Sequence, residues 1–262
     1  FFPYGGLNRP VHLVAQPAAG ILAYRATTTR SSLTLSVSAD AGARVEARLT
    51  GGGVDAACHA PLDNGTARIA WCPDAIAPWS PAAPQLYTLT IDLLDETGTL
   101  LDRVGQRIGF RDIRVDGTAL LLNGEPLLLT GFGKHEDSPL HGRGLNLPQM
   151  VKDFRLLKWC GANSVRTSHY PYSEEFLDLA DEEGVLVIGE VFSINLDFRR
   201  VDGAVLDAHH AAVRALIGRD ASRACVIAWS LANEPGYLAE PEYQAQSGPY
   251  WRALFDAARA LD

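Results

Sequence analysis

The fold is decided by the stretch VIAWSLANEP, residues 226–235. Its first half is an apolar run short enough to be a buried strand, and Pro235 with Gly236 then ends any regular element. In α/β barrels, polar side chains at the carboxyl ends of buried parallel strands meet the substrate. We therefore predict a barrel strand that presents Asn233 and Glu234 at its end. The alternative is a surface turn in which Glu234 is solvated, and the rest of the chain has to decide between them.

The chain before this stretch alternates strands and helices. Four predicted helices cover residues 148–159, 174–183, 205–218 and 248–261, and the three earlier strands cover residues 127–130, 163–166 and 185–188. The helix signals are Pro148 in a first turn, an apolar stripe of Val151, Phe154 and Leu157, Ser173 as an N-cap and Gly184 as a stop. This order is typical of a parallel β/α barrel, of which four of eight units are present. A doubly wound open sheet is the alternative, but no Gly-rich phosphate loop follows the first strand.

The first part of the chain has a different pattern, with period two. Leu33, Leu35 and Val37 alternate with polar residues, and similar runs follow, separated by turn sequences such as GGG at 51–53. Short alternating strands without helices predict an antiparallel, immunoglobulin-like β-sandwich. We assign this sandwich to residues 18–110 and the first half of a (β/α)8 TIM barrel to residues 111–262.

Composition argues against several classes of protein. The chain has 262 residues, of which 47% are hydrophobic and 21% charged, an ordinary globular balance. A formal net charge of −8 argues against nucleic-acid binding, and no apolar run has the length of a membrane span. The cysteines lack the spacing of a metal site, so we expect no metal and no cofactor. Cys160 and Cys225 are expected to be buried, and a Cys58–Cys72 disulfide is the less favoured option.

Polar side chains follow each of the four predicted barrel strands. They are His135, Glu136 and Asp137, then Arg166, His169 and Tyr170, then Glu190, and finally Asn233 and Glu234. Each one alone has a structural alternative, such as a core histidine or an ion pair between Arg166 and Glu190. Together they indicate a shared site, because buried charge is costly unless it is paired. Carboxylates and imidazoles without a metal or a nucleophilic Ser or Cys favour acid/base chemistry, such as glycoside hydrolysis.

These motifs resemble glycoside hydrolase family 2, and within it the β-glucuronidases. The resemblance is carried by GFGKHED at 131–137, RTSHYPY at 166–172, DEEG at 181–184 and WSLANEP at 229–235. The opening FFPYGGLNR also resembles the end of that family's N-terminal jelly-roll, which would occupy residues 1–17. With no initiator Met and no leader, we expect the chain to be a piece of a longer protein, and its compartment stays open, with the cytoplasm as the default for a bacterial protein.

The resemblance implies a retaining exo-glycosidase that acts on β-D-glucuronides. Glu234 would be the general acid/base, and the residues that bind substrate or line the site would be Asn233, His135, Asp137, Arg166, His169, Tyr170 and Glu190. The nucleophilic Glu of the family would lie on a later strand, so we expect these 262 residues alone to be inactive. The implied partner is a β-glycoside, not a nucleic acid or a membrane, and a homo-oligomeric parent stays open. Alternatives are a β-galactosidase or β-galacturonidase on the same scaffold, or a non-catalytic carbohydrate-binding protein.

Three positions depart from the family pattern. Gly189 precedes Glu190 where the family usually has Asp, so we expect an altered support for the third strand end. Residues 222–225, Ser-Arg-Ala-Cys, replace the usual Asn-His-Pro-Ser, which we expect to affect loop packing. The connection from residue 192 to residue 207 is short, which predicts an open site.

Overall fold

The chain folds into an antiparallel sandwich followed by a parallel sheet with helices, as a computed structural model that describes residues 6–235 and 241–262 shows. The sandwich strands are β1 (Ile21–Thr28), β2 (Leu33–Ala39), β3 (Arg44–Gly51), β4 (Val54–Pro61), β5 (Thr66–Trp71), β6 (Tyr87–Leu94) and β7 (Leu100–Ile108). They form two antiparallel sheets, with orders β1-β2-β5 and β4-β3-β6-β7. The predicted immunoglobulin-like sandwich is therefore confirmed.

Alternation along the strands builds the core of the sandwich. Leu33 and Leu35 on β2 are fully buried, and the residue between them, Thr34, is exposed. Leu89 and Ile91 on β6 are also fully buried and belong to the same core cluster. Because successive side chains of a strand point to opposite faces, the period-two pattern of the sequence becomes one buried and one wet face.

A small sheet connects the two halves of the chain. It consists of β8 (Ile113–Asp116), β9 (Ala119–Leu122) and β10 (Glu125–Pro126). Asn123 and Gly124, with φ of 56° and 88°, form the tight turn between β9 and β10. The Asn123 side chain also accepts a hydrogen bond from the Asp112 amide and donates one to the Trp79 carbonyl.

The second half of the chain is a parallel sheet covered by helices. Its strands are β11 (Gly131–Lys134), β12 (Ser164–Thr167), β13 (Leu186–Glu190) and β14 (Val226–Ser230), in that order across the sheet, and its helices are α1 (Leu147–Trp159), α2 (Glu174–Glu183), α3 (Gly203–Asp220) and α4 (Pro241–Leu261). All three strand pairs are parallel. The four-unit start of a β/α barrel is therefore confirmed. In the described ranges, no helix is long and apolar enough to cross a membrane.

The helix ends follow the capping signals of the sequence. Ser173 accepts a hydrogen bond from the Phe176 amide at the start of α2, and Gly184 ends that helix in the left-handed conformation. Asn146 and Asp202 cap α1 and α3 in the same way, so both helices begin slightly earlier along the chain than the predicted residues. The start of α4 at Pro241 is also earlier than the predicted residue 248.

The first barrel strand is placed wrongly by the sequence. We predict it at residues 127–130, but the sheet begins at Gly131, directly after that apolar run. A Cβ on Gly131 would lie 1.9 Å from the Ser164 carbonyl oxygen, so the close approach of β11 and β12 requires glycine there. A glycine-containing strand looks like a loop in the sequence, which explains the error.

Smaller expectations about single side chains are also wrong. Val151 is 38% exposed, and Met150 takes its place in the buried stripe of α1 beside Phe154 and Leu157. Cys160 is exposed, whereas Cys225 is buried as predicted. Cys58 and Cys72 are both free thiols and form no disulfide.

The sandwich packs directly against α2. Trp79 is fully buried in the core of the barrel half, and its indole Nε1 donates a hydrogen bond to the Asp181 carbonyl at 2.8 Å. Arg107 on β7 forms an ion pair with Glu182 one residue further along α2. The Asp181 carboxylate accepts a hydrogen bond from the Cys225 amide at 2.7 Å, so the turn into β14 is held by the same helix. The sandwich thus positions the helix that precedes β13 and its terminal Glu190.

Candidate active site

A buried carboxylate organises the carboxyl edge of the parallel sheet. Glu190, the last residue of β13, is 0% exposed. Arg166 Nε on β12 donates to Glu190 Oε2, and His169 Nδ1 donates to Glu190 Oε1 at 2.8 Å. Parallel strands end at the same edge, which is why residues 24 positions apart along the chain meet here. Burial of this charge is compensated because both carboxylate oxygens have a partner.

Thr167 is a member of this arrangement that sequence reasoning missed. Its side chain is buried, and its Oγ1 accepts a hydrogen bond from the Glu190 amide at 2.9 Å. This bond fixes the end of β13 against the end of β12. The only signal in the sequence is its position directly after Arg166, at the end of a predicted strand.

Asn233 joins the network from the fourth strand end. Its Oδ1 accepts a hydrogen bond from Arg166 Nη2 at 2.9 Å. Its backbone amide donates to the Ser193 carbonyl at 2.8 Å, and its carbonyl accepts from the Asn195 amide at 3.1 Å. A parallel bridge between Ile194 and Asn233 extends the pairing of the two strands beyond their formal ends. The loop after β14 is therefore held by its backbone as well as by its side chain.

Glu234 lies beside this network but outside it. Its side chain is exposed, and no hydrogen bond or ion pair joins it to any side chain that the structure describes. Its φ is +42°, a left-handed conformation that turns the chain away directly after Asn233.

His135 and Asp137 approach the network from the loop after β11. The His135 ring lies edge-to-face against the His169 ring, with centroids 5.1 Å apart. Its Nδ1 is 3.6 Å from Asp137 Oδ2, and Asp137 also accepts a hydrogen bond from Arg143 Nε at 3.1 Å. Burial, and then the nearby His169, lower the pKa of His135, while Asp137 acts in the opposite direction. The neutral imidazole is therefore favoured at this edge.

Tyr170 is not aimed into the network. Its hydroxyl accepts a hydrogen bond from the Glu136 amide at 3.1 Å, and the Arg143 guanidinium lies 4.4 Å from its ring centroid. Arg9, which precedes the sandwich, donates to Glu136 Oε2 at 2.5 Å and to the Arg143 carbonyl at 2.9 Å. Tyr170 and Arg9 therefore support the loop that carries His135. Sequence reasoning missed the role of Arg9, although Arg9 belongs to the motif at the start of the chain.

Gly189 is enclosed by the neighbouring strand. A Cβ at this position would lie 3.0 Å from Cζ3 of Trp229 on β14. The indole of Trp229 therefore occupies the space beside the third strand end, and the altered support expected from Gly189 stays a prediction.

A pocket opens next to the loop after β11. It has a volume of about 630 Å³, and its lining includes His135, Asp137, Leu140 and Cys160. Arg166, Asn233 and Glu234 do not line it, so the network lies outside this pocket. Within the described parts of the chain, no group of three or more His, Cys, Asp or Glu residues could hold a metal ion.

Two family models match the chain along nearly all of its length. The one described as "Glycosyl hydrolases family 2, TIM barrel domain" matches residues 113–262, and the one described as "Glycosyl hydrolases family 2" matches residues 23–111. They cover the parallel sheet with its helices and the sandwich respectively.

Known proteins named β-glucuronidase are similar in sequence and structure. One from Paenibacillus borealis is 46% identical over 194 residues, covering 70% of this chain and 32% of that protein. One from Mus musculus is 33% identical over 273 residues, covering 100% of this chain and 41% of that protein. A Bifidobacterium dentium β-glucuronidase complexed with coumarin-3-O-glucuronide superposes with a TM-score of 0.87 at 34% identity, covering 93% of this chain and 42% of that one. The chain thus spans less than half the length of these relatives.

Proposed function

This chain belongs to glycosyl hydrolase family 2, and from that premise we propose that it serves the hydrolysis of β-D-glucuronides with retention of configuration. The observation that supports this proposal is the hydrogen-bonded set of the buried Glu190, the partly exposed Arg166 and the buried Asn233, directly beside the exposed Glu234. The sugar class is supported by relatives named β-glucuronidase and by the structural neighbour with a bound glucuronide.

Glu234 is the general acid/base of the proposed reaction. A retaining glycosidase needs one carboxylic acid that protonates the leaving oxygen and one carboxylate that attacks the anomeric carbon. After the leaving group departs, the same Glu234 carboxylate would accept a proton from the water that releases the sugar. Its exposure allows contact with substrate, whereas Glu190 has both oxygens occupied by Arg166 and His169. We assign the nucleophile to neither Glu190 nor any other residue described here.

Asn233 is oriented to donate to the sugar. Arg166 has only hydrogen-bond donors, so the Asn233 oxygen must face it and the amide NH2 must point elsewhere. A hydroxyl next to the anomeric carbon is the proposed acceptor. Glu190 is completely buried and contacts Arg166, so its proposed role is to position Arg166 and Asn233 and not to touch the substrate.

The loop after β11 supplies the remaining polar contacts of the proposal. His135 and Asp137 line the pocket beside the strand ends, and both can hydrogen-bond to sugar hydroxyls. Tyr170 acts by supporting this loop, since its hydroxyl is engaged by the Glu136 amide. His169 holds the Glu190 oxygen that Arg166 Nε does not contact, and its ring packs on His135.

The variant Glu234→Gln tests the proposal in the protein at its full encoded length. We expect kcat/KM for phenyl β-D-glucuronide to fall by roughly 10²- to 10⁴-fold, the range of general acid/base catalysis. The loss should be smaller for 4-nitrophenyl β-D-glucuronide, because nitrophenolate leaves without protonation. Glu96→Gln, at an exposed turn of the sandwich, is the matched control and should keep wild-type rates. Wild-type turnover by Glu234→Gln would remove this residue from its role, and preference of the unmodified protein for the β-galactoside would correct the sugar class.

A further inference from the structure

A buried histidine on α3 contacts the loop that carries Asn233 and Glu234. His209 is 6% exposed and lies outside the network around Glu190. Its Nε2 is 2.8 Å from the Leu231 carbonyl oxygen, and its Nδ1 is 2.8 Å from the Tyr250 hydroxyl on α4. This imidazole therefore joins α3 and α4 to the start of the loop that carries Asn233 and Glu234.

The partners determine which nitrogen of His209 carries the proton. A carbonyl oxygen can only accept, so Nε2 must be protonated and must donate to Leu231. In the neutral ring Nδ1 is then an acceptor, which matches the hydroxyl of Tyr250 as its donor. Burial lowers the pKa of His209, which also favours the neutral ring.

The Leu231 carbonyl lies at the point where the sheet stops supporting the chain. The ladder between β13 and β14 ends at the pair Glu190 and Ser230, and the Ser230 carbonyl accepts the last regular bond, from Val191. Leu231 is 8% exposed, so its carbonyl needs a partner inside the protein. His209 supplies that partner, one residue beyond the sheet.

We propose that His209 is a positioning residue for the acid/base carboxyl of Glu234, acting through its hydrogen bond to the Leu231 carbonyl. The inference rests on the proposed function of Glu234. Asn233 is fixed by the segment around residue 194 and by Arg166, so His209 provides the anchor at the other end of the three-residue stretch that leads to Glu234. A displacement of about 1 Å at a catalytic group can lower a rate by about a hundredfold, so this anchor acts on kcat.

Two substitutions separate the bond from the bulk of the side chain. His209→Gln can place an amide NH2 near the position of Nε2 and keep the donor to Leu231, whereas the shorter His209→Asn cannot reach that carbonyl. In the protein at its full encoded length, we expect His209→Gln to keep kcat within about threefold. We expect His209→Asn to lower kcat by about 10- to 100-fold, with KM changed by less than threefold.

Val213→Ala is the control for a merely structural role. Val213 is fully buried one turn further along α3 and belongs to the core cluster that contains Leu231 and Tyr250. Its side chain is apolar and forms no hydrogen bond to the loop that carries Glu234. It should lower the melting temperature and leave kcat unchanged. If His209→Asn and Val213→Ala have the same kcat, or if His209→Gln loses as much as His209→Asn, the proposal is wrong.

A measurement on the unmodified protein keeps the proposal testable if His209→Asn does not fold. The ¹⁵N shifts of the imidazole should report the Nε2–H tautomer, and an Nδ1–H tautomer would overturn the proposal. The Glu234→Gln variant distinguishes a failure of the role proposed for His209 from a failure of the role proposed for Glu234. If it is inactive while His209→Asn is fully active, only the role of His209 is refuted; if Glu234→Gln is itself fully active, both proposals fall.

Discussion

Gly184 gives the most direct test of whether the sandwich positions the parallel sheet and its helices. This residue ends α2 with a φ of +69° and directly precedes the segment that leads into β13. A Cβ added here would lie 2.5 Å from the Pro81 carbonyl oxygen and 2.9 Å from its Cα. The change Gly184→Ala therefore strains the backbone of α2 and also pushes against backbone atoms of the sandwich.

The two effects can be given separate magnitudes. A left-handed conformation costs an L-residue about 1–2 kcal/mol relative to glycine. Forcing a methyl group into a closely packed contact costs about 1–3 kcal/mol more. Together they predict a loss of about 2–5 kcal/mol in the free energy of unfolding for Gly184→Ala.

Gly161 is the matched control because it shares the strain and lacks the contact. It follows α1 with a φ of +76°, and a Cβ there would have no atom within 4 Å. Gly161→Ala should therefore cost only the conformational term of about 1–2 kcal/mol. The difference between the two variants, measured by urea unfolding, isolates the contact between Pro81 and α2. Equal losses would show that the Pro81 loop yields freely, and the idea that the sandwich fixes α2 would be refuted.

Two further predictions concern charged groups. Glu190→Gln removes the buried carboxylate that pairs with Arg166 and should lower the free energy of unfolding by about 3 kcal/mol. The control Asp55→Asn breaks an exposed pair with Arg48 and should have little effect. If urea unfolding shows a similarly small loss for both variants, this prediction is wrong. Burial lowers the pKa of His209, so its stabilising contribution is present above the unfolded pKa of about 6.5 and is lost as the pH falls below that value. The pH dependence of the unfolding free energy between pH 7 and 5 should therefore flatten in His209→Gln by at most about 1.4 kcal/mol per pH unit, and an unchanged slope would show that this ring has the same pKa in the folded and the unfolded protein.

Local patterns were sufficient to predict most of the fold. Alternating burial in β2 and the caps of α2 depend only on neighbours along the chain, so Leu33, Ser173 and Gly184 could be interpreted from sequence. The start of β11 depends on how closely Gly131 approaches Ser164, which no local pattern records. The exact boundaries at residues 17 and 110 stay predictions.

The site was predictable only as far as the topology alone determines it. Parallel strands bring their ends to one edge, so Arg166, Glu190 and Asn233 were expected together. Contacts from outside the strands follow no such rule: Arg9 reaches Glu136 across 127 positions of the chain, and His209 reaches Leu231 from a helix. The direction of the Tyr170 hydroxyl likewise depends on the conformation of the neighbouring loop, and its expected place among the substrate-binding residues stays a prediction.

The two carboxylates at the sheet edge, Glu190 and Glu234, differ in burial. Glu190 is 0% exposed, and a proton transfer from it would first have to break its contacts with Arg166 and His169. Glu234 is exposed and needs no such rearrangement. In the proposed reaction, Glu190 would act through its contact with the Arg166 guanidinium, which accounts for the orientation of the Asn233 amide. The difference in burial is therefore the physical reason why we propose orientation for Glu190 and proton transfer for Glu234.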